Sequence, residues 1–274
     1  EHAVRFPVLT IGSGPANSLR GAAYLTGRDD AIVVDVGGTS TDIGVLVSGF
    51  PRESSQAVEI GGVRTNFRMP DIISIAVGGG TVAREGAIGP DSVAWRIGTE
   101  SLAFGGSTPT LTDAALLGRR ASDIGSVTPD TAHADMLRNG LALADVAVAD
   151  AIDRVKTSRS DAPIIAVGGG SIILADPIAG ASEILRPANH DVANAIGAAI
   201  AKVSGSAEEV VTYTTRSHAE AVQEIAARAG AAAVSAGTDP ERVEVVDVEE
   251  TPLTYMMEPA ARIRVKAAGP LAMG

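Results

Sequence analysis

The feature of this sequence that most constrains its fold is a pair of apolar segments joined by a short run of glycine, threonine and serine. Residues 31–36 are continuously apolar except for Asp35, and residues 37–41 read Gly-Gly-Thr-Ser-Thr. Residues 43–47 then place a β-branched aliphatic residue at every second position. A continuous apolar run is typical of a strand buried on both faces, and a period of two is typical of a second strand. The pattern predicts a β-hairpin with a glycine-rich tip.

Apolar runs and helical patterns alternate along the rest of the chain, which is typical of an α/β fold. Further strands are predicted at 8–11, 71–77, 164–167, 210–215, 242–248 and 260–267, helices at 19–26, 141–157 and 218–236, and mostly loop at 86–109. Beyond Gly205 the composition becomes more acidic. We therefore predict a connecting strand and hinge helix at 1–29, a main lobe at 30–205, and a small C-terminal α/β extension at 206–274.

Composition excludes several classes of function. The 274 residues carry a net charge of −11, which argues against non-specific binding to nucleic acid or to an anionic membrane surface. The absence of cysteine excludes disulfides, thiolate zinc sites and thiol nucleophiles from this chain. No segment approaches the ~20 apolar residues of a membrane span. We predict a cytoplasmic protein with no nucleic-acid or membrane partner.

The tip of the predicted hairpin carries groups suited to phosphate and a hard metal ion. Glycine lets backbone N–H groups approach phosphate oxygens, and hydroxyls add donors without bulk. Asp35 and Asp42 flank the turn on opposite legs, where their oxygens suit Mg²⁺ or a catalytic role. The candidate phosphate-binding residues are Gly37, Gly38, Thr39, Ser40 and Thr41. The alternative is an ordinary glycine-rich hairpin, although an aspartate that ends a buried strand is costly without a partner.

Other catalytic and nucleotide-binding motifs are absent or incomplete. No lysine follows a glycine cluster, so a P-loop is excluded, and the Gly-x-Ser-x-Gly motif of serine hydrolases is missing. Gly12 and Gly14, followed by Asp35, resemble part of the dinucleotide-binding fingerprint of Rossmann folds. Pro15 and Asn17 depart from that fingerprint, which stays open as an alternative. The four histidines lack the spacing of a metal site.

A second glycine-rich turn follows the strand predicted at 164–167. Its residues Gly168, Gly169, Gly170 and Ser171 would let a planar base or ribose lie against the backbone, or would serve only to permit positive φ. Residues 75–81 and 165–171 are near-copies of one another. The tripeptide Gly-Ala-Ala also occurs twice, at 21–23 and 197–199. Small residues allow two helices to cross closely, which suits a hinge.

Taken in order, these elements resemble the actin/Hsp70/sugar-kinase type of ATPase fold and, more narrowly, the hydantoinase/oxoprolinase A family. The motifs that carry the resemblance are Ser13-Gly14-Pro15-Ala16, the segment from Asp35 to Asp42, Gly78-Gly79-Gly80-Thr81-Val82-Ala83, Pro109-Thr110-Leu111-Thr112-Asp113-Ala114, Val167-Gly168-Gly169-Gly170, and the segment from Val192 to Ala199. The resemblance implies an α/β fold: an actin-like, ribonuclease H-like lobe with a mixed sheet flanked by helices.

The chain also departs from the family pattern. Asn17 and Ser18 stand where the family usually has two glycines, Ala76 and Val77 replace the usual start of a glycine loop, and residues 86–108 look shorter than usual. The family carries an earlier Asp-x-Gly-Gly-Thr motif in an N-terminal lobe, and nothing before Asp35 matches it. Since the chain also begins with Glu1, we expect it to resemble the C-terminal half of such a protein.

The resemblance implies an enzyme that uses ATP and Mg²⁺ to phosphorylate the carbonyl of a cyclic amide, or of a related substrate, for hydrolysis or carboxylation. In this interpretation Asp35 and Asp42 are the catalytic and Mg²⁺-binding carboxylates. The turn at 37–41 holds phosphate, and the turn at 168–171 holds adenosine. The missing N-terminal lobe and a second, B-type subunit are the expected partners. The chain alone is expected to be incomplete as an enzyme, and its exposed cleft face would be free to form a homo-oligomer. The alternative is a non-catalytic nucleotide-binding or scaffold subunit.

Overall fold

The structure is a computed structural model that describes residues 10–54, 59–60, 63–64, 69–128, 131–214, 216–254, 256 and 258–272. The described residues form two compact units, 10–199 and 200–272. No helix among them is long and apolar enough to cross a membrane. The division of the chain into three domains stays a prediction.

The first unit contains ten strands and five α-helices in its described part. The strands are β1 (Ala31–Val36), β2 (Thr41–Val47), β3 (Phe50–Pro51), β4 (Glu59–Ile60), β5 (Val63–Arg64), β6 (Ile72–Ile75), β7 (Thr81–Arg84), β8 (Ala87–Ser92), β9 (Ala162–Val167) and β10 (Ala181–Leu185). The helices are α1 (Ser13–Thr26), α2 (Ile97–Glu100), α3 (Leu111–Leu117), α4 (Ala134–Val155) and α5 (Ala193–Ala199). Short 3₁₀ segments include Ala94–Arg96, Gly169–Ile173 and His190–Val192.

A mixed six-stranded sheet organises this unit. Its order is β10-β9-β1-β2-β3, and β6 also pairs with β2. Strand β1 runs antiparallel to β2 and parallel to β9, which in turn runs parallel to β10. Helices cover both faces of the sheet, which confirms the predicted fold class in its main point, an α/β lobe with a mixed sheet flanked by helices. Because the chain returns from β1 as an antiparallel hairpin, the Rossmann alternative is wrong.

The two faces of β1 explain its apolar sequence. Ile32, Val34 and Val36 face a core that includes α3 and α4, whereas Val33 faces a second core that includes α1 and α5. All four side chains are nearly or fully buried. A strand enclosed on both sides has no solvent face to fill with polar residues. The hairpin predicted from residues 31–47 is therefore confirmed.

Helices α1 and α5 cross at backbone contact. A Cβ atom built on Gly21 would lie 1.9 Å from the carbonyl oxygen of Ala193, and one on Gly197 would lie 1.8 Å from that of Asn17. Any side chain at these two positions would force the helices apart. This confirms that the two Gly-Ala-Ala segments mark a close helix crossing.

The second unit is a three-stranded antiparallel sheet with one helix packed on it. Its order is β11 (Val203–Thr212), β13 (Ala260–Gly269) and β12 (Glu244–Pro252), and helix α6 (His218–Ser235) contributes to its core. Ile225 on α6 and Ile263 and Val265 on β13 are fully buried there. The α/β character predicted for this part of the chain is confirmed.

Several element boundaries differ from the predictions. Thr10 and Ile11 lie in a turn before α1 rather than in a strand; the rest of the strand predicted at 8–11 lies outside the described residues. Helix α1 begins at Ser13, because Pro15 is tolerated in a first turn. Strand β11 begins at Val203, seven residues before the predicted start, and it contains Gly205. This glycine permits a close approach to α6, since its Cβ would lie 2.2 Å from the amide nitrogen of Ala233. The region 86–109, predicted as mostly loop, contains β8 and α2.

The helix crossing yields a stability prediction. We expect Gly21→Ala and Gly197→Ala each to lower the free energy of unfolding by roughly 2 kcal/mol or more, because the added Cβ overlaps a backbone carbonyl. This loss should appear although alanine favours an isolated helix by about 1 kcal/mol. Gly98→Ala in α2 is the matched control, since its Cβ would meet no atom within 4 Å. Urea denaturation that ranks all three variants alike would contradict the close crossing.

Candidate functional site

The tip of the β1–β2 hairpin presents backbone N–H groups to the outside. The turn is closed by one hydrogen bond, in which the Gly37 amide donates to the Ser40 carbonyl over 2.9 Å. Among the described residues, the amides of Gly38, Thr39 and Ser40 find no acceptor. Gly38 and Thr39 are exposed. Three neighbouring amide donors without acceptors form a site that suits an anion.

The loop Gly78–Thr81 supports this tip from behind. The amide of Gly79 donates to the Gly37 carbonyl over 3.0 Å, and that of Gly80 donates to the Gly38 carbonyl over 2.7 Å. A Cβ on Gly78 would lie 2.7 Å from the Thr39 amide nitrogen. This loop therefore has to be glycine-rich for the two backbones to touch. The sequence leaves the role of this loop open, although residues 75–81 are a near-copy of 165–171 and Gly78-Gly79-Gly80-Thr81-Val82-Ala83 is one of the motifs that carry the family resemblance.

The third glycine-rich turn, residues 168–171, meets the hairpin from another side. Gly168 has a φ of +84°, and its Cβ would lie 2.3 Å from the Val36 carbonyl oxygen and 2.4 Å from a carboxylate oxygen of Asp35. A Cβ on Gly170 would lie 2.3 Å from the Gly37 carbonyl oxygen. Gly169 differs from both, because it is exposed and its Cβ would meet nothing within 4 Å.

The structure thus brings the predicted phosphate turn and the predicted adenosine turn together, but two predicted hydroxyls are already engaged. Thr41 is fully buried and donates to the Val77 carbonyl over 2.5 Å. Ser171 is buried, and its hydroxyl lies 3.2 Å from Nδ1 of His190. The free donors of the site are therefore the backbone amides at the tip, rather than these two side chains.

Asp35 and Asp42 lie directly opposite each other on β1 and β2. Opposite residues of an antiparallel pair share one face of the sheet, and here it is the face that carries α1 and α5. Burial raises the pKa of Asp35; the hydrogen bond from the Ser18 hydroxyl opposes this rise, and the charge of Asp42 adds to it. Asp42 accepts a hydrogen bond from the Ser74 hydroxyl. Two carboxylates thus lie close together beside the amide-lined tip.

This arrangement fits Mg²⁺ held mainly by water and phosphate. No group of three or more acidic or histidine side chains that could hold a metal ion occurs in the part of the chain that the structure describes. Mg²⁺ is commonly held by one or two carboxylates together with water molecules and substrate phosphates. The half-buried pair Asp35 and Asp42 meets that requirement without further protein ligands.

An exposed tryptophan beside the tip was missed by sequence reasoning. Trp95 is the chain's only tryptophan, and 86% of its surface is exposed. Its neighbour Ala94 has a φ of +51°, which is uncommon for a residue with a Cβ. The Ser92 hydroxyl donates to the Gly38 carbonyl over 3.2 Å and accepts from the Ala94 amide over 3.0 Å, which fixes this segment to the tip.

These features define the class of protein: an α/β lobe with an anion-suited hairpin between two further glycine turns and beside a carboxylate pair. Residues 1–122 match the model of the hydantoinase/oxoprolinase family. This match confirms, over that segment, the family resemblance that the motifs carry.

Individual known proteins are also similar to this chain. The acetophenone carboxylase gamma subunit of Aromatoleum aromaticum is 31% identical over an alignment of 152 residues, which covers 52% of this chain and 20% of that protein. Acetone carboxylase, in a nucleotide-free structure, has a TM-score of 0.63 at 15% identity and covers 94% of this chain and 49% of its own. The ATP-dependent caprolactamase of Pseudomonas jessenii has a TM-score of 0.67 at 18% identity, with 94% and 50% covered. These two structures show a shared fold, and the chain spans about half the length of each.

The raised pKa of Asp35 predicts a pH-dependent stability. A carboxyl whose pKa is higher in the folded state stabilises the fold below its ordinary pKa, about 3.9, and this contribution is lost as the pH rises through the folded value. Asp35→Asn cannot ionise, so its free energy of unfolding should rise relative to wild type between about pH 4 and pH 7. Urea denaturation across this range measures the difference. Asp150→Asn, at an exposed position of α4, is the control. A difference that does not change with pH would contradict the prediction.

Proposed function

We propose that this chain is the nucleotide-binding lobe of an ATP-dependent enzyme of the hydantoinase/oxoprolinase type, which activates a carbonyl substrate. The observation that carries the proposal is the hairpin tip, where the amides of Gly38, Thr39 and Ser40 lack acceptors within the described residues. An anion bound at this tip would accept hydrogen bonds from these amides. The carboxylates of Asp35 and Asp42 lie on the strands that carry this tip.

Different residues of the site would bind the phosphates, the metal ion and the adenosine of the nucleotide. The amides of residues 38–40 would hold phosphate oxygens, and Asp35 and Asp42 would hold Mg²⁺ through its water molecules or directly. The open side of Gly169 gives room for a flat group against the backbone, so the turn at 168–171 would hold adenosine. Bound ATP would supply the phosphoryl group that turns a carbonyl oxygen into a leaving group. In phosphoryl transfer the protein contributes mainly positioning and neutralisation of charge.

The substrate class is proposed from the relatives. They are named for acetophenone, acetone and caprolactam, two ketones and one cyclic amide. The common feature is a carbonyl oxygen, and we propose a cyclic amide or a related carbonyl compound for this chain, with hydrolysis as the favoured outcome and carboxylation as the alternative. One relative is a gamma subunit, which supports partner subunits for this chain as well.

Full turnover is proposed to need a second lobe. The chain matches about half of each of the two enzyme structures, and the lobe carries a single hairpin flanked by two aspartates in its described part. One preorganised donor can be worth roughly 100- to 1000-fold in rate, so a second phosphate hairpin would matter greatly. A second lobe and a B-type subunit are therefore the proposed partners, and a cytoplasmic location stays a prediction.

Gly169→Val tests whether the turn at 168–171 contacts nucleotide. We expect at least about tenfold weaker binding of Mg²⁺–ADP, because the new side chain occupies the open space, with less than about 1 kcal/mol change in the free energy of unfolding. Calorimetry and the fluorescence of Trp95 measure binding, and urea denaturation measures stability. Gly170→Val is the matched control: it should destabilise the fold, since its Cβ would meet the Gly37 carbonyl oxygen. If a folded Gly169→Val variant binds Mg²⁺–ADP with unaltered affinity, the turn has only a structural role.

Asp35→Asn and Asp42→Asn test the metal-binding role. Each amide keeps the shape of the carboxylate but removes its charge. We expect the affinity for ADP to become independent of Mg²⁺ in both variants, with a loss of about tenfold relative to wild type in saturating Mg²⁺ and little change in EDTA. Calorimetric titrations with and without Mg²⁺ give the comparison. If both variants keep the full Mg²⁺ dependence, the metal is bound elsewhere and the carboxylate assignment is wrong. If wild type binds no nucleotide at all, the proposed function fails.

A further inference from the structure

Trp95 is the most exposed large apolar side chain among the described residues, and an unusual backbone conformation holds it there. Its exposed fraction is 86%, whereas Val93, two positions earlier, is buried. Between them Ala94 has a φ of +51°, which residues with a Cβ rarely adopt. A single exposed apolar residue is ordinary on a protein surface, but backbone strain is concentrated at binding and catalytic sites. The two features at neighbouring positions indicate a function for this segment, residues 92–96.

Hydrogen bonds attach this segment to the hairpin tip through the loop behind it. The Val93 amide donates to the Gly80 carbonyl over 2.9 Å, and the Gly80 amide donates to the Gly38 carbonyl over 2.7 Å. A Cβ built on Gly38 would lie 3.9 Å from the Ala94 carbonyl oxygen. The backbone next to Trp95 is thus in contact with the hairpin at Gly38.

The turn at 168–171 contacts the tip one residue earlier. A Cβ on Gly170 would lie 2.3 Å from the Gly37 carbonyl oxygen, whereas the segment that carries Trp95 contacts Gly38. Under the proposed function, adenosine lies at the turn and the phosphates lie at the tip amides. The nucleotide would then extend from Gly37 toward Trp95, with its terminal phosphate at the Trp95 end. The acceptor of a phosphoryl group binds in line beyond that phosphate.

We propose that Trp95 forms one wall of the binding site for the carbonyl substrate, and that the substrate is a flat, uncharged carbonyl compound that stacks on the indole. This inference rests on the proposed function and deepens it, because it adds a substrate-binding residue to the nucleotide site. An indole offers a large rigid apolar face at little cost in conformational entropy, and such a face packs best against another flat group.

The charged neighbours of Trp95 favour an uncharged ligand. The Arg96 guanidinium lies over the indole, 5.9 Å from the ring centroid, which restricts the rotation of both side chains. Nε of Arg96 also lies 2.5 Å from a carboxylate oxygen of Glu100. Because these two charges are paired with each other, neither strongly attracts an ionised substrate. A neutral ketone or amide, in contrast, gains from contact with the apolar indole without loss of an ionic hydration shell.

The test is the affinity of the 274-residue chain for two probes, ε-caprolactam and acetophenone, in saturating Mg²⁺–ADP. Trp95→Ala should weaken binding of both probes at least about tenfold, because the stacking face is lost, and should change the affinity for Mg²⁺–ADP less than about twofold. Trp95→Phe keeps a flat ring, so its affinity for the probes should lie between wild type and alanine. Since Trp95 is exposed, neither substitution should change urea denaturation.

Calorimetry measures every affinity, and the fluorescence of the chain's only tryptophan gives an independent measurement in wild type. ε-Caprolactam should shift the emission of Trp95 saturably, with the affinity that calorimetry gives. Tyr24→Ala is the matched control, because Tyr24 is an aromatic residue that is 66% exposed in the last turn of α1. That turn leads to the start of β1, whereas the hairpin tip follows its end. The control should bind both probes and Mg²⁺–ADP as wild type does.

Equal affinity of wild type and Trp95→Ala for the probes would overturn the inference, as would a wild type that binds Mg²⁺–ADP but neither probe; in both cases the proposed function stands. An equal loss of affinity for probes and Mg²⁺–ADP would mean that Trp95 contacts the nucleotide, which also overturns it. A wild-type dimer that Trp95→Ala converts to a monomer in ultracentrifugation would show that a second copy covers the indole, and the inference would be wrong. If wild type binds no Mg²⁺–ADP, the proposed function fails first and the inference falls with it.

Discussion

Backbone-to-backbone contact at the Gly37 carbonyl is the constraint on which the rest of the site depends. This oxygen accepts from the Gly79 amide, and a Cβ on Gly78 or Gly170 would lie within 2.8 Å of it. Side chains at those positions would hold the three turns apart by the width of a methyl group. The hairpin tip would then lose its support, and its free amides would no longer be fixed in one orientation. At Gly78 and Gly170, therefore, glycine is a packing requirement.

The same rule operates where α1 crosses α5. Gly21 and Gly197 let the helix backbones touch, which brings Asn194 within hydrogen-bond reach of both Gly14 and Ser18. Small residues at the crossing thus determine polar geometry several ångströms away. The packing of the two helices therefore also sets the hydrogen bonds that Asn194 makes.

The elements that could be predicted from the sequence are those with a local pattern. The hairpin of residues 31–47 could be predicted because burial on two faces and a glycine-rich tip each determine the residue types at a few neighbouring positions. Element boundaries could not be predicted where glycine lies inside an element. Helix α4 begins at Ala134, seven residues before the predicted start, and includes Gly140, whose Cβ would meet Ala83 at 3.3 Å. Gly205 likewise lies within β11. Glycine is found at these positions because a residue from a distant part of the sequence packs close to the backbone there. A single sequence does not show which residues become such neighbours.

The candidate site shows the same division. Asp35, Asp42 and the turn between them could be singled out because charge at the end of a buried strand is unusual on its own. The contacts that support them join residues far apart in sequence, such as Thr41 with Val77 and Ser18 with Asn194. A hydroxyl that looks available in the sequence, as those of Thr41 and Ser171 do, is already bonded in the fold. Which donors stay free depends on tertiary contacts, so the sequence identified the turn and the fold identified the backbone amides as its free donors.

The juxtaposition of amides and carboxylates limits what the tip can bind. Three free amides attract an anion, but Asp35 and Asp42 repel one when both are ionised. Burial and mutual repulsion already raise the pKa of Asp35, so a bare phosphate would add a third like charge to an unfavourable pair. A divalent cation reverses this balance, because it is attracted to both carboxylates and to phosphate. If the proposed function holds, the site would therefore bind a metal-bound nucleotide more tightly than a free one. Under the proposed function, the carboxylate pair selects the charge state of the ligand and the amides fix its position.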